Sequence, residues 1–430
     1  MSSSISALER LFSSEGSPPE QRHIPQSLLE RLVAPVEPAE AWQRARPLDD
    51  GHRVEPRELP VRGESLESVV EQLRQLRRGP ASAPSLPGVL GAVATLLASG
   101  GEERHEEGLR VDEAESRVAA MVSRVVGYDE ARSGGRVVTS ARAAVLAGLR
   151  VAIAKHAPEA RRKGVPRNLY CFASEASEDA LLEAVETTGL GGYHLIRVRT
   201  REDGAMDTTD LRAKLLAIAS GGDVPLYVVA SAGVEGSSAL DDVRELREVV
   251  DGITTLYGLR PVHLHADAAW GGLHCVFNDY DFQGNPLGFG PPVLEALAPL
   301  RTRLRHLHLA DSVGLDFRGL GGASFPAGLF LLANGAELRP VGLRSLEAPG
   351  ALALHAQLRA FGLEGYRRLL AEVLEAERVT RGGRGLPGVQ ARSGSPRRSG
   401  TGEALGLSSG LVPGVMGFAG ARPPLTRPRN

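Results

Sequence analysis

From residue 111 onward, apolar positions recur along the chain in two alternating patterns. Apolar residues three or four positions apart predict amphipathic helices, and short apolar runs between them predict buried strands. Strands that alternate with helices at this spacing favour a mostly parallel sheet covered on both faces, with ligands beyond the carboxyl ends of the strands. The helices are predicted at 111–127, 141–157, 179–189, 208–220 and 243–258, and the strands at 168–174, 194–200, 225–233 and 262–270.

The two ends of the chain have different patterns. Helical spacing interrupted by proline and glycine predicts short helices at 27–33, 65–78 and 88–99. Periodicity ends at residue 381, and the remaining residues hold eight arginines against one acid, Glu403, among many glycines and prolines, which is typical of disorder. These patterns divide the chain into an N-terminal helical segment (1–105), a large α/β domain (106–345), a helix (346–380) and a disordered tail (381–430).

Charge and composition exclude several classes of protein. Fifty basic and 52 acidic side chains leave a net charge of -2, so no overall charge attracts the chain to nucleic acid or to anionic lipid. The sequence has no apolar run long enough to span a membrane and no secretory signal, so we expect no membrane contact and a cytoplasmic location. Two cysteines, Cys171 and Cys275, are too few for a disulfide framework or a cysteine metal cage.

The segment HLHADAAWGG at 263–272 carries the strongest chemical signal. Because side chains alternate along a strand, His263, His265 and Asp267 lie on one face. These residue types could ligate a metal ion, although no fourth ligand is evident. The alternative is three polar side chains satisfied by hydrogen bonds near the end of a strand.

The same segment resembles the His-x-Asp-Ala-Ala-aromatic-Gly-Gly motif of the group II pyridoxal-phosphate-dependent decarboxylases, the family of glutamate, aromatic-amino-acid and histidine decarboxylases. Four other segments occur in that family's order and spacing, at 169–192, 203–215, 228–242 and 308–334. The resemblance implies an α/β fold of the fold-type I pyridoxal-phosphate-dependent transferase class, with a mostly parallel sheet flanked by helices. It also implies pyridoxal 5'-phosphate as cofactor and a homodimer with active sites at the subunit interface.

The resemblance assigns cofactor-binding roles to five residues. Asp267 matches the carboxylate that pairs with the pyridine nitrogen and keeps it protonated, so that the ring can accept electrons. Ala269 matches the small residue packed on the ring, and Ser312 matches a hydroxyl that contacts the phosphate. His265 of the same motif and Arg142, which could bind a phosphate or another anion, complete the set. A solvated or ion-paired side chain is the alternative for Arg142.

The lysine that binds the cofactor covalently in this family has no counterpart here. Its motif, Asp-Pro-His-Lys-x-Gly, aligns with residues 316–321, so Gly319 occupies the lysine position. Arg318 cannot replace the lysine, because a guanidinium group stays protonated and is a poor nucleophile. The chain contains three lysines, all on predicted surface helices or loops: Lys155, Lys163 and Lys214.

Other positions depart from the family pattern as well. Glu178 stands where the family has an imidazole stacked on the cofactor, and residues 139–145 lack the glycines that let backbone N–H groups approach the phosphate. Val234 and Glu235 replace two hydroxyl residues. The small C-terminal domain expected after residue 381 is replaced by the tail, so we expect it to be truncated.

These departures predict a catalytically inactive homologue, a pseudoenzyme of amino-acid carboxy-lyases, with no catalytic residue and no metal. Two alternatives stay open: an active or residual pyridoxal-phosphate-dependent decarboxylase, and a non-enzymatic dimeric partner that regulates an active paralogue. The expected partners are a second copy or a paralogue, together with an amino acid or another small anion. If the cofactor binds, we expect it to bind without a covalent link.

Overall fold

The computed structural model describes residues 68, 86–99, 111–175, 179–233, 240–323, 325–341 and 350–380. The helices predicted at 27–33 and, apart from Ser68, at 65–78 lie outside the described residues. So do the tail after residue 380 and three of the divergent positions, Glu178, Val234 and Glu235.

The described residues form a seven-stranded sheet in the order β1-β7-β6-β5-β4-β2-β3. β7 runs antiparallel to its neighbours β1 and β6, and every other pairing is parallel. The carboxyl ends of β1, β4, β5 and β6 therefore share one edge of the sheet with the amino end of β7. The strands are β1 Gly134–Val138, β2 Leu169–Ser174, β3 Leu195–Val198, β4 Val224–Ser231, β5 His263–Asp267, β6 Ser312–Asp316 and β7 Gly328–Leu332.

Helices cover both faces of this sheet, as predicted. Several begin at side-chain caps: Ser140 accepts a hydrogen bond from the N–H of Ala143, and Asp207 and Asp242 accept from the N–H groups of the residues that follow them. The helices are α1 Leu86–Ser99, α2 Val111–Val126, α3 Ala141–His156, α4 Ala160–Lys163, α5 Asp179–Thr187, α6 Thr208–Ser220, α7 Val243–Tyr257, α8 Pro291–Leu304, α9 Leu338–Val341 and α10 Gly350–Thr380.

Two apolar layers hold the helices to the sheet. On one face of β5, Leu264 and Ala266 are buried in the same core as Val250 of α7. On the other face, Tyr227 of β4 stacks on His263 and His265, and its hydroxyl donates a hydrogen bond to the carbonyl of Val145 in α3. The polar stripe of β5 therefore lies beneath α3.

The long helix α10 is bent, because Gly362 adopts a left-handed backbone conformation with φ 59°. Leu354 and Leu370 of α10 are buried, and α1 packs against the first half of the helix. A side chain at Gly91 of α1 would overlap the backbone of Ala353, so glycine is required for this close approach. Among the described helices, none is long and apolar enough to cross a membrane.

Candidate functional site

The candidate site lies where the parallel strands end, at the edge of the sheet that faces the start of α3. Asp267 is the last residue of β5 and is 4% exposed. The N–H of Ala269 donates to its Oδ1 atom at 3.3 Å, and the backbone N–H of Ala232 donates to its carbonyl oxygen at 2.8 Å. Asp267 and Ala269, two of the predicted residues, are thus neighbours at the strand end.

Burial dominates the electrostatics of Asp267 and raises its pKa to about 6. The N–H of Ala269 and the charge of Arg142 act in the opposite direction, while the nearby carboxylate of Asp316 adds to the increase. No described lysine, arginine or histidine forms an ion pair with Asp267. A cationic group placed beside this carboxylate would therefore gain a strong partner.

Arg142 lies in the first turn of α3, on the side of the site that faces solvent. Its Nη1 atom is 3.4 Å from Oε2 of Glu183, and both side chains are more than half exposed. An exposed ion pair of this length contributes little to stability. The charge of Arg142 also lowers the pKa of Asp267. Because its ion pair with Glu183 is weak and exposed, the guanidinium group can exchange that partner for an incoming anion.

The carboxylate of Asp316 lies at the amino end of α3. Its Oδ2 atom accepts a hydrogen bond from the N–H of Ala141 at 3.4 Å, and Arg318 pairs with the same group at 2.7 Å. A negative charge is favourable there because the free N–H groups of a helix start attract anions. Asp316 was not among the predicted site residues, although its position at the end of β6 was a usable signal.

Ser312 and His265 lie below this edge rather than in it. The Oγ atom of Ser312 is 2.8 Å from Nε2 of His263 and 2.7 Å from Nδ1 of His265, and all three side chains are buried. A serine hydroxyl donates one hydrogen bond, so one imidazole accepts from it and the other donates to it. The phosphate contact predicted for Ser312 would require the hydroxyl to leave these two partners.

The polar face of β5 also bears on the metal hypothesis. His263 and His265 both point to Ser312, whereas Asp267 contacts the backbone of the following turn. In the part of the chain that the structure describes, no group of three or more histidine, cysteine or acidic side chains is arranged to hold a metal ion. Burial lowers the pKa of His263 to about 4 and that of His265 to about 3, so both imidazoles are neutral.

The three lysine side chains lie elsewhere in the molecule. Lys155 pairs with Glu337 at 3.0 Å near the far end of α3, and Lys163 lies 3.9 Å from Glu159 beyond it. Lys214 of α6 contacts Asp210 at 2.6 Å and the carbonyl of Arg197 in the edge strand β3 at 2.5 Å. The candidate site therefore brings together Asp267, Ala269, Arg142 and Asp316, without an amine.

Comparison with known proteins connects this arrangement to one family. Residues 113–284 match the family described as the pyridoxal-dependent decarboxylase conserved domain. A glutamate decarboxylase-like protein of Gibberella zeae is 26% identical over 254 residues, which are 59% of this chain and 44% of that protein. The L-2,4-diaminobutyrate decarboxylase of Acinetobacter baumannii is 28% identical over 183 residues, 42% of this chain and 31% of that protein. The matched region thus spans less than half of either relative.

Solved structures share the fold at lower sequence identity. The glutamate decarboxylase domain of a diaminobutyrate-pyruvate transaminase and L-2,4-diaminobutyrate decarboxylase from Vibrio parahaemolyticus has a TM-score of 0.61 at 17% identity, covering 89% of this chain and 76% of that one. Oryza sativa TDC, solved with PLP and tryptamine, has a TM-score of 0.56 at 15% identity, covering 85% and 73%. The expected fold class is confirmed, and residues 113–284 are similar to the conserved domain of the pyridoxal-dependent decarboxylases.

Proposed function

We propose that this chain is a catalytically inactive homologue of the pyridoxal-phosphate-dependent amino-acid decarboxylases, and that it holds pyridoxal phosphate without a covalent link. The observation that carries this proposal is the position of the three lysines, none of which is at the sheet edge beside Asp267. The motif resemblance supports it independently, because it places Gly319 where the family has its lysine.

Distances along the fold support the same conclusion. Lys155 lies 13 residues after Arg142 on one helix, and a rise of 1.5 Å per residue separates the two by about 20 Å. Lys214 contacts β3, three strands away from β5, which corresponds to about 14 Å at the usual spacing between strands. Neither amine can reach a ligand at Asp267 without unfolding its own helix.

The residues at the edge fit part of the cofactor. When bound, pyridoxal phosphate supplies a ring that accepts electrons. Asp267, a buried carboxylate without a cationic partner in the described residues, would hold a proton at the pyridine nitrogen. Arg142 and the start of α3 would bind the phosphate, in competition with the carboxylate of Asp316, and the small side chain of Ala269 would leave space for the ring.

Ser312 and His265 would contribute indirectly. Their shared hydrogen bond links β5 to β6 directly beneath Asp267, since His265 is opposite Ser312 and Asp267 is opposite Gly314 in the strand register. We assign both residues a positioning role, in place of the phosphate contact predicted for Ser312 and the cofactor contact predicted for His265. Because the chain would bind pyridoxal phosphate without decarboxylating an amino acid, we expect it to act as a homodimer or as the partner of an active paralogue.

The assay that tests this proposal measures carbon dioxide released from labelled amino acids in the presence of excess pyridoxal phosphate. We expect no release above the protein-free background from glutamate, 2,4-diaminobutyrate or aromatic amino acids. We also expect the Gly319→Lys variant to remain inactive, because the phosphate site is altered as well and catalytic groups that act as a unit are not additive.

The L-2,4-diaminobutyrate decarboxylase of Acinetobacter baumannii, assayed in parallel, shows that the conditions support turnover. Release by the unmodified chain at a rate near that of this enzyme would favour the active alternative. Release only by Gly319→Lys would show that the missing amine is the sole defect of the site.

A further inference from the structure

A cavity lies between the helices, away from the sheet edge that forms the candidate site. It has a volume of about 390 Å³ and is bounded by the second half of α3, by α4, and by the ends of α5 and α9. This volume is within the range of small-molecule sites. Most of the lining is apolar and includes Leu146, Ile153, Ala154, Val165 and Val341.

Two arginines line the same cavity from different helices. The Nη2 atom of Arg150 in α3 donates to the carbonyl of Val341 at 3.2 Å, and Nη1 of Arg161 in α4 donates to the carbonyl of Pro340 at 3.3 Å. Adjacent carbonyls thus hold both guanidinium groups at the end of α9. Because a guanidinium group has five N–H donors, most of the donors on each side chain remain available for a ligand.

The charge at this wall is not neutralised by nearby acids. Within the described residues, neither Arg150 nor Arg161 forms an ion pair with a carboxylate, whereas Glu159 pairs with the neighbouring Arg162 at 2.5 Å. The polar groups of the lining are otherwise satisfied, since the hydroxyls of Thr187 and Thr188 donate to carbonyls of their own helix. The cavity therefore combines an apolar interior with two unneutralised positive charges on one side.

We propose that this cavity binds a small amphipathic carboxylate, with its hydrocarbon part among the apolar side chains and its carboxylate on Arg150 and Arg161. A planar guanidinium group matches a carboxylate in geometry, and two of them on one wall fix the orientation of the ligand. The apolar lining supplies affinity through surface removed from water. The site is independent of Asp267, so the proposal stands whether or not pyridoxal phosphate binds.

The test uses octanoate as the anionic probe and 1-octanol as its uncharged counterpart, titrated into the full-length protein by calorimetry. We expect octanoate to bind and octanol to bind more weakly. Arg150→Gln and Arg161→Gln should each weaken octanoate about tenfold and leave octanol unchanged, because each removes a charged contact at a partly exposed site. Ala154→Leu, which fills the cavity, should weaken both probes.

Arg162→Gln is the matched control, because Arg162 lies on the same helix outside the cavity lining and should leave both affinities unchanged. Thermal melts of each variant establish that the fold is retained, and Ala160→Leu fills the cavity from α4 if Ala154→Leu does not fold. Absence of octanoate binding, or equal loss in the Arg162 and Arg161 variants, would overturn the proposal. Binding that survives Ala154→Leu and Ala160→Leu would place the probe elsewhere.

Discussion

Replacement of Asp267 by asparagine is expected to stabilise the protein at pH 7 while abolishing pyridoxal phosphate binding. Burial raises the pKa of this carboxyl from the ordinary 3.8 to about 6, so at pH 7 the folded protein holds a charge that its surroundings disfavour. Asparagine removes the charge and keeps an acceptor for the N–H of Ala269. We expect the free energy of unfolding to rise by about 2–3 kcal/mol, measured by urea denaturation.

The raised pKa of Asp267 also determines how the stability difference between the variant and the unmodified protein changes with pH. Because the folded pKa of Asp267 is raised, the folded state binds its proton more tightly than the unfolded chain does. The resulting stability is present below about pH 4 and is lost as the pH rises to about 6. The difference between the variant and the unmodified protein should therefore be near zero at pH 4 and reach its full value at pH 7.

Asp241 is the matched control for this measurement. Burial raises its pKa to about 6 as well, but its two carboxylate oxygens accept hydrogen bonds from the N–H groups of Met206 and Ser231, both at 2.6 Å. The amide of asparagine offers one acceptor oxygen, so Asp241→Asn should leave one buried N–H unpaired and lower the stability. Equal shifts in the two variants, or unchanged cofactor affinity in Asp267→Asn, would contradict the role given to Asp267.

Replacement of Gly148 by alanine is expected to destabilise the protein by about 1–3 kcal/mol, although alanine favours helices. Gly148 lies in the middle of α3, and an added Cβ atom would overlap the hydroxyl of Tyr227 and approach Nδ1 of His265 to 3.2 Å. Tyr227 is fully buried, so a shift of its ring would break the hydrogen bond to Val145 and disturb its stacking on His263 and His265. Denaturant unfolding monitored by circular dichroism measures the loss.

Gly252→Ala supplies the comparison, because this glycine lies on an exposed face of α7 and its nearest neighbour would be an arginine nitrogen at 3.7 Å. That variant should be more stable by about 0.5–1 kcal/mol. Tyr227→Phe removes the atom that the Gly148→Ala methyl group would meet, so combining the two changes should cost less than their sum. Additive losses would show that the packing of α3 on β4 differs from the one described.

Much of the fold could be predicted from the sequence because apolar residues recur at regular helical and strand spacing through the α/β region. The helix over 208–220 and the strands around Tyr227 and Leu264 follow directly from apolar spacing. The spacing gave no prediction for α8 Pro291–Leu304, where prolines interrupt the pattern, and the antiparallel strand β7 was recognised only as part of a family segment. Pairing between distant strands depends on tertiary contacts that local periodicity does not contain.

The sequence predicted most of the residues of the candidate site, but it did not predict how deep each side chain lies or which side chains meet. Alternation along β5 correctly places His263, His265 and Asp267 on one face, but it cannot show that Gly148 of α3 lies against His265. The depth of Ser312 depends on the register of β6 against β5, which brings its hydroxyl to the imidazoles below the edge. Likewise, the approach of Asp316 to Ala141 joins residues that are 175 positions apart in the chain.

Mass spectrometry after borohydride reduction tests the central claim most directly. The full-length protein is incubated with excess pyridoxal phosphate, reduced, digested and mapped, with the Acinetobacter baumannii decarboxylase treated identically as a positive control. We expect no lysine of this chain to carry the cofactor stoichiometrically after reduction. We also expect dialysis before reduction to remove the pyridoxal phosphate that was bound without a covalent link. A stoichiometric adduct that survives dialysis on Lys155, Lys163 or Lys214, and that is lost when Asp267 is replaced, would contradict the account.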